Sequence, residues 1–425
     1  MSTAKDAARP PGGGPGGVPP GGSVLRDRNF LLYLSGTLAS ETGSRGTAAI
    51  ALYHVFQLTD STAQVGVVGL VEFIALVFIA PLGGAIADRF DRRRLVQLSQ
   101  TMTLVVSALL AVSTAAGRVT VWQIYLAVML HTVAQIFGVA ARKALIPGIV
   151  ERHQLVKAYA LANPVREFSW FVGPALGGLL VALGGPQLMY AVDAATCLVL
   201  IMTLSMLRIR PLEEPTQRTN LWRSMLAGVS YVRSSPIVWQ LLALDFATML
   251  FSAWRVVLPA LAEDVLQVGP AGYGLLNSAI PAGALVGSVL VYRAIDRVRG
   301  GRVILGATAL YGLGCIGLAQ STMMAAALAA AVVIGMGDAM WSTVQQAAIQ
   351  VEIADDMRGR VSSLTQIATK GGNSFGQANV GLIAGLVGPV AALSVGGLVP
   401  VAAAMLVAVF VPGIREYRMP TGPSA

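Results

Sequence analysis

Charge is what this sequence lacks most. Only 12% of its 425 residues are charged, about half the share expected of a soluble globular domain. That shortfall, with apolar runs of about 20 residues repeated along the chain, excludes an ordinary water-soluble fold and points to a polytopic helical membrane protein. The two cysteines, Cys197 and Cys315, both fall inside apolar runs. They exclude a disulfide framework and read as small core residues. There are three histidines, and no HExxH, phosphate loop or Cys/His metal spacing from which an enzyme or metal site could be argued. The net charge of +9 needs no nucleic acid to explain it, because a membrane chain keeps Lys and Arg on its cytoplasmic side.

Twelve apolar stretches are long enough to cross a bilayer. They are roughly residues 30–56, 64–88, 95–116, 121–142, 158–183, 187–208, 237–262, 270–293, 303–319, 324–349, 361–387 and 390–412. If both termini are cytoplasmic, the outward turns are 57–63, 117–120, 184–186, 263–269, 320–323 and 388–389. Of the 30 Lys and Arg, four lie within spans (Arg45, Arg166, Arg255 and Lys370) and only Arg118 lies in an outward turn. The rest, counting those at the inner helix ends, gather on one side, which makes that side cytoplasmic. The predicted organisation is a cytoplasmic tail (1–28), a six-helix bundle (29–208), a cytoplasmic linker (209–236), a second six-helix bundle (237–412) and a second tail (413–425). Residues 1–23, rich in Pro and Gly, cannot build a core and are expected to be disordered. The first apolar run follows Arg26 and Arg28 and is too long for the h-region of a signal peptide, so it reads as a retained helix. In the linker, Trp222, Met225, Leu226, Val229 and Val232 recur at helical spacing, the pattern of a helix lying on the membrane surface.

Two stretches carry motifs. Asp88 to Arg94 packs two acids and four arginines into seven residues between the second and third spans. With Gly84 it forms G-x-x-x-D-R-x-x-R-R-R. In the fifth span, Gly173-Pro174-Ala175-Leu176-Gly177-Gly178 combines a proline, which removes a backbone hydrogen bond, with small residues that allow close helix packing. The chain also repeats itself. Asp296 to Arg302 is a worn copy of the loop motif, and Arg142-Lys143 after the fourth span corresponds to Arg358-Gly359-Arg360 after the tenth.

Together these features resemble the major facilitator superfamily over about residues 29–415. The nearest resemblance is to its enterobactin-exporter-like and drug/proton antiporter branches. The loop motif is similar to the superfamily signature between helices 2 and 3, with Asp91 where Gly is usual. The fifth-span motif is similar to the antiporter motif of exporters, with Ser169 where a further Gly is common. The fourth span lacks the R-x-x-Q-G motif of many proton-coupled exporters and reads Gln135-Ile136-Phe137-Gly138. The resemblance implies an all-α fold of twelve transmembrane helices in two six-helix halves. It also implies alternating access, a cell-membrane location with both termini cytoplasmic, a monomer in the lipid bilayer, and no cofactor beyond a proton gradient. The implied activity is efflux of small, lipophilic drugs or natural products. A dedicated siderophore or natural-product exporter with one substrate, an importer or facilitator, and a non-transporting membrane sensor or enzyme stand as alternatives. Asp88, Arg89, Arg92 and Arg93, with Gly84, would form a gate against the eleventh helix.

Ionisable side chains within spans are costly and call for a reason. Glu41 and Arg45 lie four apart on one helical face and can neutralise each other. Arg166 and Glu167 are adjacent, point about 100° apart, and are expected to have different partners. Glu72 and Asp338 have no counter-charge near them in sequence, which makes them the first candidates for carrying a proton, with Glu41 behind them. Arg45, Arg166, Glu167, Asp245, Arg255, Trp254 and Trp341 are candidates to line a cavity. Trp170 is a further aromatic near polar residues, and Asp193 a further acid in the sixth span. His131 reads as a neutral, hydrogen-bonded core histidine.

Overall fold

In the computed structural model, residues 24–87, 91–207, 221–295, 298–354 and 357–417 are described. The expectations for residues 1–23, for Asp88 and Arg89, and for Asp296 and Arg297 fall outside them. The described chain is almost wholly helical. It runs α1 (Arg28–Thr59), α2 (Thr62–Ala87), α3 (Arg92–Ala115), α4 (Val121–Ile149), α5 (Leu155–Gly184) and α6 (Pro186–Met206). The short helix α7 (Leu221–Ser234) stands in the linker. There follow α8 (Pro236–Phe251), α9 (Trp254–Ala260), α10 (Gly269–Ala294), α11 (Gly300–Ala319), α12 (Met324–Glu352), α13 (Arg358–Val387), α14 (Pro389–Phe410) and α15 (Pro412–Arg415).

Ten helical runs among the described residues are long and apolar enough to cross a membrane. The seventh of the twelve expected spans is α8 and α9 together. Helices α1 and α13 fall short on apolarity because both carry polar residues inward. Ser40, Glu41, Ser44, Thr47 and His54 of α1 are buried, as are Ser374 and Gln377 of α13. In a membrane protein such side chains belong inside the bundle, away from lipid.

Helix pairing shows how the bundle is built. In the first half α1 packs on α5 and α6, α3 on α4 and α6, and α2 on α4. The second half repeats each pairing: α8 packs on α13 and α14, α11 on α12 and α14, and α10 on α12. Two further contacts, α2 with α13 and α5 with α10, join the halves and are equivalent to one another. The turns repeat as well. Gly185 at φ 89° precedes Pro186 at the start of α6, and Gly388 at φ 87° precedes Pro389 at the start of α14. Only glycine takes that backbone readily, and proline is tolerated at a first helical position because its missing N–H has no partner there.

Among the described residues there are three buried cores. One lies at the end of the bundle that carries the α1–α2 and α5–α6 turns, here the turn end. It takes residues from both halves, among them Ile50, Tyr53, Val181, Val257, Tyr273, Ile280 and Ala384. At the opposite, terminal end each half has its own core. Phe30, Val96, Leu145 and Leu200 mark the first, and Val238, Ile304, Trp341 and Ala348 the second. Among the described residues, the buried core that both halves share lies at the turn end, and each core at the terminal end is drawn from one half.

Helix breaks are made good locally. Between α8 and α9 the chain opens at Ser252-Ala253. The freed Ser252 carbonyl accepts from the Tyr311 hydroxyl at 2.9 Å, and Ser252 Oγ donates to the Gly396 carbonyl at 2.6 Å. Irregular backbone at membrane depth is tolerated where protein groups satisfy it in this way.

Candidate functional site

The middle of the bundle, below the shared core, holds the ionic groups. Helix α1 presents Glu41 and Arg45 on one face, and Arg45 Nη2 lies 3.2 Å from Glu41 Oε2. The other Glu41 oxygen meets Arg142 Nη2 at 2.9 Å. Arg142 corrects the sequence reading: α4 runs past it to Ile149, and the side chain is buried rather than cytoplasmic. Gln135 accepts from Arg142 at 3.2 Å, and the Tyr33 hydroxyl donates to the Arg142 carbonyl at 3.2 Å. One buried carboxylate thus holds two guanidiniums, and through Arg142 it ties α1 to α4.

Arg45 also lies over the Trp170 ring of α5, with its guanidinium carbon 3.9 Å from the ring centroid. Arg255 of α9 approaches the same ring at 5.9 Å. An aromatic face attracts a cation most strongly when water is excluded. Trp170, which the sequence left among general aromatics, is therefore where cations of the two halves meet.

The candidate proton carriers divide. Glu72 of α2 accepts from Ser374 Oγ of α13 at 3.4 Å, across the boundary between halves, and lies within electrostatic reach of Arg255. The expectation that it has no counter-charge does not hold in space. Asp338 of α12 differs. The charge acting on it is that of Asp245 of α8, and it lines a small internal hollow with Tyr311, Trp341 and Thr248. Asp245 is buried and accepts from Thr369 Oγ1 at 3.0 Å. Two acids of the second half are therefore within electrostatic reach of one another, a relation that their distance apart in sequence concealed.

Several expectations change. Arg166 and Glu167 pair with one another at 3.1 Å, half exposed, instead of finding separate partners; their flexible side chains bridge the 100° between them. Trp341 is buried in the second-half core and donates to Gln345 Oε1 at 2.8 Å, so it packs rather than lines an open cavity. Trp254 packs against the shared core. His131 of α4 is half-buried, and its Nε2, itself shielded, has no hydrogen-bond partner among the described residues, so the expected hydrogen bond is not seen there. Asp193, outside the first set of candidates, is fully buried and accepts from Ser107 Oγ at 2.6 Å.

The fifth-span motif lies at the joint between halves. A Cβ on Gly178 would meet the Pro270 carbonyl at 2.4 Å and Gly274 Cα at 2.8 Å. Within the first half, a Cβ on Gly173 would meet the Thr42 carbonyl at 2.8 Å, and one on Gly177 would meet Ile50. Pro174 offers its carbonyl toward Gly274. The equivalent joint has the same character: a Cβ on Gly66 of α2 would come within 2.9 Å of Gly381 of α13. Above these joints Tyr53 hydrogen-bonds Glu263, and Tyr273 donates to the Ala49 carbonyl at 2.8 Å. Together these contacts seal the turn end.

At the terminal end, Arg93 donates to the Ser205 and Leu207 carbonyls at 2.6 and 3.2 Å, capping α6 where cations suit the helix dipole. Arg92 donates to the Ala144 carbonyl at 3.3 Å. Asp91 caps α3 by accepting from the Arg94 N–H at 2.8 Å, which gives a physical reason for Asp at that place. Gly84 lies in the last turn of α2.

Comparison with known proteins adds to this geometry. Residues 22–420 match the family model described as transmembrane secretion effector. The enterobactin exporter EntS of Citrobacter koseri is 29% identical over 385 residues, covering 89% of this chain and 90% of its own. EntS of Escherichia coli O6:K15:H31 is 28% identical over 383 residues, with 88% and 90% covered. Among solved structures, nucleoside transporter NupG aligns with a TM-score of 0.72 at 14% identity, covering 92% of this chain and 100% of that one. A D-xylose-proton symporter aligns at 0.65 and 14%, covering 93% and 100%. At such identities the structural likeness is one of fold.

Proposed function

This chain belongs to the transmembrane secretion effector family of the major facilitator superfamily, and we propose that it exports small molecules from the cytoplasm, driven by inward proton flow. Family and fold make it an integral membrane transporter rather than an enzyme. The observation that supports the mechanism is the one-sided sharing of cores among the described residues: one core common to both halves at the turn end, and separate cores at the terminal end. The arginine-rich terminal end is the cytoplasmic one by the positive-inside rule. In this reading the halves part on that side, the one from which an exporter loads. Rocking about the glycine joints at α2–α13 and α5–α10 would close that end and open the other.

The acids supply the coupling. Asp338 is within electrostatic reach of Asp245, and neither is in an ion pair among the described residues, an arrangement suited to holding and releasing a proton. Glu72 spans the α2–α13 joint, where a proton would alter the fit between halves. Glu41, held by two arginines, has a structural role instead. A second reading, a pump dedicated to one siderophore, is supported by relatives named as enterobactin exporters.

Inside-out vesicles with an acidified lumen and a luminal pH dye test the proposal. Adding lipophilic drugs and a catechol siderophore in turn is expected to release luminal protons with the transported compound. A response to the siderophore alone would favour the second reading. Asp338→Asn combined with Glu72→Gln should abolish the proton signal. Labelled substrate accumulating at full rate with no luminal pH change would refute proton coupling.

A further inference from the structure

Charge at the centre of the bundle does not balance. Arg45 and Arg142 share the single carboxylate of Glu41. Arg255 has no carboxylate within ion-pair distance among the described residues, and its Nε has no hydrogen-bond partner there. Arg45 Nε and Arg142 Nη1 are likewise buried donors without acceptors, and the Arg142 side chain is only 6% exposed. A buried guanidinium N–H left unbonded is costly, so native structures give such groups a partner. Three guanidiniums converge here against two carboxylates, Glu41 and Glu72, and one of those is already bonded to Ser374.

The arrangement is also specific in shape. Arg45 comes from the first half and Arg255 from the second, and both are directed at the Trp170 ring, at 3.9 and 5.9 Å. Like charges from two moving bodies repel across the boundary they must close over. An anion between them would neutralise that repulsion, and a planar carboxylate fits the guanidinium fork in two parallel hydrogen bonds. Trp170 adds a flat apolar surface beside it, which an aromatic ring covers well.

We infer that the substrate is an aromatic molecule bearing an anionic group, with the anion held between Arg45 and Arg255 and the ring against Trp170. The inference rests on the export reading for what the site is for, and narrows its substrate from lipophilic molecules in general to aromatic acids. It also links binding to movement. A ligand that bonds guanidiniums of both halves has differential affinity for the state in which they lie close, and so draws the equilibrium toward closure.

Equilibrium dialysis of the purified full-length protein against 2-naphthoate and 2-naphthamide separates charge from shape, since the two differ little in size. The anion is expected to bind about tenfold more tightly or better, the range of a charge-assisted bidentate pair. Arg255→Gln should bring the two probes to within about twofold of each other, and Arg255→Lys, which keeps the charge, should retain most of the preference. Trp170→Ala should weaken both probes alike. Equal binding of the two probes by the unaltered protein, no binding of either, or an anion preference that persists in Arg255→Gln would overturn the inference. Proton-linked export of neutral or cationic compounds alongside equal probe binding would defeat this inference alone. Selective naphthoate binding by a protein that moves nothing would defeat the export reading alone.

Discussion

Arg142 is the residue whose removal should be felt most widely. It pairs with a carboxylate that is itself buried, and taking away one partner leaves Glu41 with Arg45 alone. Breaking such a pair costs about 3 kcal/mol. Arg142→Ala should therefore lower the thermal midpoint of the detergent-solubilised protein by several degrees, and Glu41→Gln on top of it should recover part of the loss. An unchanged midpoint would mean that the pair adds nothing to stability. The Glu41–Arg45 pair was legible in sequence because residues four apart on a helix share a face. Arg142 was not. It ends an apolar run beside Lys143, which is how a loop begins, and only the continuation of α4 to Ile149 turns it inward. The electrostatic reach of Asp245 to Asp338 was equally hidden, since it depends on how α8 and α12 lie in space.

Single elements read better than single side chains, because a membrane span is written in about 20 consecutive residues. The Gly-Pro turns before α6 and α14 were visible as breaks between runs. The break between α8 and α9 was not, since Ser252 and Ala253 interrupt apolarity too little to show. The glycines of α5 were legible as a motif, while their partner had to come from the structure: Gly178 meets Gly274 of α10. A methyl group there cannot fit without moving backbone. Gly178→Ala should push α5 from α10, slow transport by about tenfold or more if it costs the joint 1.4 kcal/mol, and lengthen spin-label distances between the turn ends of the two helices. Gly306→Ala in α11 is the control. It has open space around it, and alanine is the better helix former, so stability and transport should hold. Equal transport by the two variants would dissociate the motif from the moving joint.

Among the described residues, the molecule is two copies of one six-helix arrangement that share a buried core at the turn end. Sequence showed the count and the repeat through charge and apolar runs, because lipid demands both. It was silent on which end is closed, since the shared core draws Tyr53, Val257, Tyr273 and Ala384 from segments far apart in the chain. Alternating access requires that this closed end open in every cycle. The most direct test is to forbid the opening. Ala63 of α2 and Gly385 of α13 face one another across the joint, with a Cβ on Gly385 only 2.7 Å from that of Ala63, near enough for a disulfide with small adjustment. Ala63→Cys with Gly385→Cys should transport when reduced, stop on oxidation and resume when reductant is added, with each single variant indifferent to oxidant. Full transport with the disulfide quantitatively formed would contradict the account, because substrate would then cross without the turn end parting.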